Sequence, residues 1–330
     1  MTQSALVYIA GAGGDAAAFR QWTSMLPGIE IRTPSRPGKA SRWDEAPLDT
    51  VEAMAEDVLG QIAEWDDRPL VIVGFSLGAL VGYEVALRLA STGGDVHALV
   101  VAGSRAPHDA EYSLSAEGLD DAALREMISG LSPETRVAMS DDDLAELMLP
   151  GIRADLQAAA GYRREIPQEG TLDIPITAMA ADRDEVSPPE ICRPWHLYTT
   201  GIFDFVTVGG GHTFLDKPKE SVARPLRRLF AAISGGRDDV PTADATATRG
   251  RPNGAGAHDE VRAVWETVLG RTDFGDDVDF FSVGGSSLLA ARVIATVRKK
   301  TTVKVPLRRF LAAPTVTGLT NLVTEAQEQA

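Results

Sequence analysis

Residues 69–85, Pro-Leu-Val-Ile-Val-Gly74-Phe75-Ser76-Leu77-Gly78-Ala-Leu-Val-Gly-Tyr-Glu-Val, decide the fold. An apolar run of strand length meets Gly74-x-Ser76-x-Gly78, and a helix-like pattern follows at once. A strand that turns directly into a helix leaves its serine on a sharp, strained corner, and the flanking glycines let neighbouring backbone pass close. The Ser76 hydroxyl is then exposed. The amide of Leu77, at the helix start, faces any negative charge that develops beside it. Bare G-x-S-x-G occurs by chance in many chains, and the strand before it and the helix after it give the motif its meaning.

Working outward, similar apolar runs occur at 5–10, 98–103, 175–180 and 203–208. Helical spacing separates them, as in Val51, Met54, Ala55, Val58, Leu59 and Ile62. Strands alternating with helices predict an α/β fold with a mostly parallel sheet covered on both faces. Residues 114–166 break the alternation with two or three helical patterns and no strand, too long for a plain connection. A helical lid over the functional edge of the sheet accounts for them.

A serine needs a base to become a nucleophile. His212, in Gly209-Gly210-Gly211-His212-Thr213-Phe214, follows the run at 203–208, and a glycine-rich turn there suits a ring that swings over the sheet edge. His97, His108, His196 and His258 lack that setting. The acid that orients the ring is expected after the run at 175–180, where Asp182 and Asp184 both qualify. Gly11-Ala12-Gly13-Gly14-Asp15-Ala16 approximates a dinucleotide-binding turn, with Glu30 as the ribose partner. The same glycines equally serve a loop that lends a second amide to an oxyanion.

Composition narrows the field. Acids outnumber Lys plus Arg by 47 to 32, for a net charge of -15, so a nucleic-acid partner is not expected. With a single cysteine, Cys192, neither an intrachain disulfide nor a thiolate metal cage can form, and no metal site is expected. The sequence offers no secretory leader and no membrane-length apolar run, which predicts a cytoplasmic protein.

Around residue 235 the pattern stops. Residues 237–256 are rich in Gly, Pro, Ala and Thr and read as a flexible linker with an r.m.s. reach of roughly 25 Å. This divides the chain into 1–236, the linker, and 257–330. The last part predicts four helices: one on Val261, Val264, Trp265, Val268 and Leu269, one from Ser287 to about Lys300, a short one at 306–311, and one opened by Pro314. Four helices in so short a stretch make a small bundle. It contains Asp279-Phe280-Phe281-Ser282-Val283-Gly284-Gly285-Ser286-Ser287-Leu288, with Ser287 at a helix start.

Two resemblances follow from these motifs. Residues up to about 235 resemble the type II thioesterases of nonribosomal peptide and polyketide synthesis, which have the α/β-hydrolase fold. The elbow, the Ile9–Gly14 loop, Arg36-Pro37-Gly38-Lys39, the lid segment Leu149-Pro150-Gly151-Ile152-Arg153-Ala154-Asp155 and Gly210-Gly211-His212-Thr213-Phe214 carry the likeness. It implies Ser76 as nucleophile, His212 as base and Asp184 as acid, although Ala181 replaces the glycine usual before that acid. It also implies an oxyanion hole from the amides of Ala12 and Leu77. The last ~70 residues resemble a peptidyl or acyl carrier domain, which implies 4'-phosphopantetheine attached covalently to Ser287. Together they imply hydrolysis of acyl or aminoacyl thioesters, for editing or release, with the acyl group tethered on the chain's own carrier. The implied partners are carrier domains of assembly-line synthetases, a phosphopantetheinyl transferase, and an adenylation or other loading enzyme acting in trans. A thioesterase ahead of its carrier is an unusual order, which favours an editing or releasing unit over a terminal cyclising domain. Two further readings are an acyl or aminoacyl transferase between carriers and a non-catalytic docking scaffold with a working carrier.

Overall fold

The computed structural model describes residues 4–14, 16–63, 68–109, 115–131, 133–167, 171–233, 257–283, 285 and 287–328. The linker expected at 237–256 and the lid's first residue, 114, lie outside them.

Each of the five apolar runs is a strand, and a sixth, β2, joins them among the described residues: β1 (Ala5–Ile9), β2 (Glu30–Arg32), β3 (Leu70–Phe75), β4 (Val96–Ala102), β5 (Ile176–Ala181) and β6 (Phe203–Val208). They form one sheet in the order β2-β1-β3-β4-β5-β6, and every pairing is parallel. β4 starts two residues earlier than its apolar run, because His97 hides the pattern while its Nδ1 meets Ser4 Oγ at 3.0 Å. β2 is three residues long and half exposed at the sheet edge, so hydrophobicity alone did not mark it. Glu30, weighed above as a ribose partner, opens this strand and pairs with Arg32 and Arg68.

Alternate residues of the buried strands point to opposite faces. Leu6, Tyr8, Val71, Val73 and Val100 pack on Phe19 and Trp22 of the 3₁₀ segment Ala16–Met25, and on Val222, Leu226 and Phe230 of a C-terminal helix. Val7, Ile9, Ile72, Leu99 and Ile176 pack on the other face against α1 (Val51–Ala63) and α2 (Leu77–Thr92). The chain leaves β1 toward β2 on one side and places β3 on the other. Strand order therefore reverses between β1 and β3, and the crevice at the carboxyl ends of these strands is where such sheets bind ligands.

The non-strand stretch is helical as expected: α3 (Asp121–Leu131), α4 (Pro133–Met139) and α5 (Asp142–Gly161). Leu124, Ile128, Leu144, Leu149, Ile152 and Leu156 bury their side chains in one cluster. A buried carboxylate fixes α5 to the sheet edge. Asp155 Oδ2 accepts from Gly13 N (2.7 Å) and ion-pairs with Lys39 Nζ (2.7 Å) and Arg36 Nη2 (3.4 Å). Arg36 Nη2 also donates to Gly11 O at 2.7 Å. All three side chains are buried, so each charge depends on the others. Two further helices, α6 (Pro189–Cys192) and α7 (Glu220–Ile233), complete this part.

Four helices follow residue 256: α8 (Ala257–Leu269), α9 (Ser287–Thr301), α10 (Leu307–Ala312) and α11 (Val316–Glu328). Trp265 anchors them, with ring centroids 4.7 Å from Phe280 and 6.1 Å from Phe310. Pro314 does not open the last helix; it precedes it, and its carbonyl accepts the Phe280 N–H at 2.7 Å. Thr315 Oγ1 receives the Gly318 N–H instead, satisfying a donor of the first turn.

Four substitutions test this packing. A Cβ on Gly78 would lie 2.1 Å from Ile9 O, whereas one on Gly60, exposed on α1, meets nothing within 4 Å. Gly78→Ala is expected to lower stability by about 3 kcal/mol or more, and Gly60→Ala to raise it by about 0.5–1 kcal/mol, read as opposite shifts of the urea midpoint. Asp155→Ala strands two buried cations and is expected to cost about 3–5 kcal/mol. Asp155→Asn keeps an acceptor for Gly13 and should cost less in the same titration.

Candidate active site and attachment site

Ser76 sits between β3 and α2 with φ 52° and ψ -118°, a left-handed conformation rare for a residue with a side chain. Backbone crowding holds it there. Ser76 N donates to Ala102 O at 2.8 Å, and a Cβ on Gly74 would lie 2.3 Å from Gly78 O. The reason for Gly-x-Ser-x-Gly is therefore steric on both sides. Gly11 lies against the elbow, since a Cβ there would meet Phe75 Cδ1 at 3.0 Å and Ser76 Cβ at 3.1 Å. The loop carrying Ala12 thus runs beside Ser76, and Leu77 begins α2, where first-turn amides have no acceptor within the helix.

His212 Nε2 lies 3.3 Å from Ser76 Oγ. On the ring's other side, His212 Nδ1 is 2.9 Å from Asp184 Oδ2 and 3.0 Å from Oδ1. Asp184 is buried, and its Oδ1 also accepts from Val186 N (2.9 Å) and Ser187 N (2.8 Å). Three donors leave that carboxylate little freedom to turn. An imidazole so oriented can take a proton from the Ser76 hydroxyl and remain beside a fixed negative charge.

The two aspartates after β5 have different partners in space. Asp182 points away from the ring and its Oδ1 accepts the Gly210 N–H at 2.8 Å. That backbone hydrogen bond, with the Arg183 guanidinium beside it, holds the Asp182 carboxyl below the usual range. Gly210, at φ 141°, returns its carbonyl to Arg183 N at 2.9 Å. The turns after β5 and β6 are so joined, and the joint sets Asp184 and His212 at their working separation. The other histidines bond elsewhere: His97 with Ser4, His108 with Tyr198, His196 with Arg193 O and His258 with Asp276.

Several residues at the site carried no functional signal in the sequence. Phe75 packs 5.2 Å from the His212 ring and meets Phe214 edge-on at 5.8 Å. Gly103 (φ 55°) leaves room for Phe75, Phe214 and Asp184 to converge. Arg36, Lys39 and Asp155 stood out only as segments of a resemblance, and their contact, across more than a hundred residues, had no local mark. Cys192 is buried near Asp184, and desolvation, reinforced by that carboxylate, pushes its thiol up to about 12. It stays protonated and is no rival nucleophile. Among the described residues no cluster of His, Cys, Asp and Glu could hold a metal ion, and no helix is long and apolar enough to cross a membrane.

Ser287 is the first residue of the fifteen-residue α9. The loop before it is held from below. Asp279 Oδ1 accepts from Phe281 N and Ser282 N, both at 2.9 Å, and Phe280 is fully buried. A Cβ on Gly285 would lie 2.2 Å from the Phe280 ring, so only glycine fits there. Gly284 and Ser286 lie outside the described residues. A phosphate ester on a serine at this point would meet the unpaired amides and positive dipole end of α9, so the backbone suits the phosphopantetheine group.

Comparison with known proteins agrees with this geometry. Residues 5–230 match the thioesterase domain family, and residues 259–323 match the phosphopantetheine attachment site family. The thioesterase PikA5 of Streptomyces venezuelae is 35% identical over 236 residues, 71% of this chain and 83% of its own length. The RedJ thioesterase from the prodiginine pathway of Streptomyces coelicolor superposes with a TM-score of 0.59 at 35% identity, over 68% of this chain and 84% of that one. YbtT, a type II thioesterase from the yersiniabactin pathway, gives 0.63 at 25% identity, over 70% and 94%. The chain belongs to the thioesterase family, with the α/β-hydrolase fold, and continues into a phosphopantetheine attachment domain whose cofactor is covalent 4'-phosphopantetheine.

Proposed function

We propose that this thioesterase hydrolyses acyl or aminoacyl thioesters held on phosphopantetheinyl carriers of nonribosomal peptide or polyketide assembly lines, for editing or release. Residues 1–236 would be the catalytic domain and 257–330 a carrier that tethers an acyl group through Ser287. The observation that carries the reading is the line Ser76 Oγ, His212 and Asp184, at 3.3 and 2.9 Å, at the switch point of the sheet. YbtT is named for an NRPS/PKS biosynthetic pathway, and another relative is the gramicidin S biosynthesis protein GrsT.

In this scheme Ser76 Oγ attacks the thioester carbonyl as His212 Nε2 takes its proton. The amides of Leu77 and Ala12 donate to the oxyanion, a contribution of roughly 3 kcal/mol per donor. As the tetrahedral centre collapses, the C–S bond breaks and His212 protonates the departing sulfur. A water then gives a proton to His212 as its oxygen adds to the acyl carbon; the acyl C–Oγ bond breaks, His212 returns the proton to Ser76 Oγ, and the free acid leaves. Asp184 keeps Nδ1–H oriented and balances the imidazolium throughout. Bound at Ser287, the phosphopantetheine arm supplies a thiol that carries an acyl group as a thioester. A phosphopantetheinyl transferase would install it and a loading enzyme would charge it in trans. A tethered acceptor thiol also favours transfer between carriers as a second reading, and product analysis separates the two: free acid for hydrolysis, acylated carrier for transfer.

A fluorophosphonate is expected to label Ser76 in the wild type and nothing in Ser76→Ala, read by intact mass. Absence of labelling would leave a docking scaffold as the reading. Asp184→Asn should lower kcat by about 10⁴ through the wrong imidazole tautomer. Asp182→Asn, which keeps an acceptor for Gly210, should lower it no more than about tenfold. The reverse ranking in acyl-carrier hydrolysis would move the acid to Asp182.

A further inference from the structure

Two oppositely charged stretches lie far apart in the chain. Residues 141–146 carry Asp141, Asp142, Asp143 and Glu146 without a base, and residues 298–309 carry Arg298, Lys299, Lys300, Lys304, Arg308 and Arg309 without an acid. Each has a local use. Asp141 caps α5 by accepting from Leu144 N, and the bases at the end of α9 face its negative dipole end. Local use does not require the two to meet, yet they do. Lys304 Nζ lies 2.9 Å from Asp143 Oδ2, and Arg298 Nη1 lies 3.8 Å from Asp141 Oδ2. Next to these pairs Leu307 and Leu311 of α10 and Leu144, Leu147, Met148 and Ile152 of the lid helix α5 line one apolar crevice. At the other edge Arg20, just past the glycine loop, donates to Phe281 O (3.0 Å) and Ser282 O (2.9 Å), in the turn that leads to Ser287.

We propose that this edge of the lid is a docking face for phosphopantetheinyl carriers, and that the chain's own carrier is its resident occupant, competing in cis with carriers that arrive from other proteins. The proposal rests on the thioesterase reading above and adds its regulation. Exposed ion pairs are individually weak, but the tether changes their weight. A flexible coil of about twenty residues would hold the carrier at about millimolar effective concentration, and a contact with an intrinsic Kd of about 0.1 mM would then be occupied roughly nine-tenths of the time. An external carrier must displace it, and its apparent affinity falls by roughly tenfold.

The test uses the full chain and two readouts that need no turnover. Small-angle scattering at low salt should give a compact particle for the wild type. Lys304→Glu, or about 0.5 M salt, should expand it, and Lys304→Glu combined with Asp143→Lys should restore it. Fluorescence anisotropy of a stand-alone peptidyl carrier protein bearing a fluorescent pantetheine should show binding at least threefold tighter to Lys304→Glu, where the resident carrier is released, and weaker to Asp143→Lys. A radius of gyration unmoved by Lys304→Glu and by salt would overturn the resident contact. Unchanged binding in both variants would overturn the competition. Loss of all thioester turnover with these shifts intact would instead sink the catalytic reading and leave the docking face standing.

Discussion

Everything at the catalytic edge depends on how closely α2 approaches the ends of β1 and β3. At Gly78 the helix backbone meets Ile9 O with no room for a methyl group, and at Gly74 the strand meets the helix's own first turn as tightly. Held between these contacts, Ser76 keeps a backbone conformation it would leave if free, and the residue is buried at the sheet edge under the packing around it, not exposed as the motif alone suggests. The strain is local, and the packing of the whole parallel sheet sustains it.

A second constraint acts from above. Asp155 reaches from the lid helix into the turn after β1 and takes the Gly13 N–H together with two buried cations. The loop expected to supply the Ala12 amide is thereby joined to the lid. One carboxylate therefore links the position of α5 to that of the loop.

The turns after β5 and β6 show how little covalent chain is needed to align a base and its acid. Gly210 donates its N–H to the Asp182 side chain and accepts the Arg183 N–H, and Asp184 and His212 follow on the two sides of that seam. Both aspartates follow the same strand by a few residues. One braces the turn at the surface, the other is buried against the ring, and burial separates their roles.

The strand runs, the elbow, the glycine-rich turn before His212 and the motif before Ser287 were legible because each rests on nearest-neighbour chemistry: apolar periodicity, positive φ at a turn, a helix start. The three-residue β2, the early start of β4 at Val96-His97 and the true place of Pro314 were not, since edge exposure, a single polar partner and a carbonyl taken by Phe280 decide them. The residue types and their order along the chain determined an α/β-hydrolase with a serine on a strand-to-helix corner and a carrier helix bundle. Only the tertiary structure decided that Asp184 rather than Asp182 meets the ring, that Asp155 binds the lid to the glycine loop, and that acidic lid and basic carrier face one another. These are contacts between residues tens to more than a hundred positions apart, and no local pattern encodes which of several equal charges the fold brings within 3 Å.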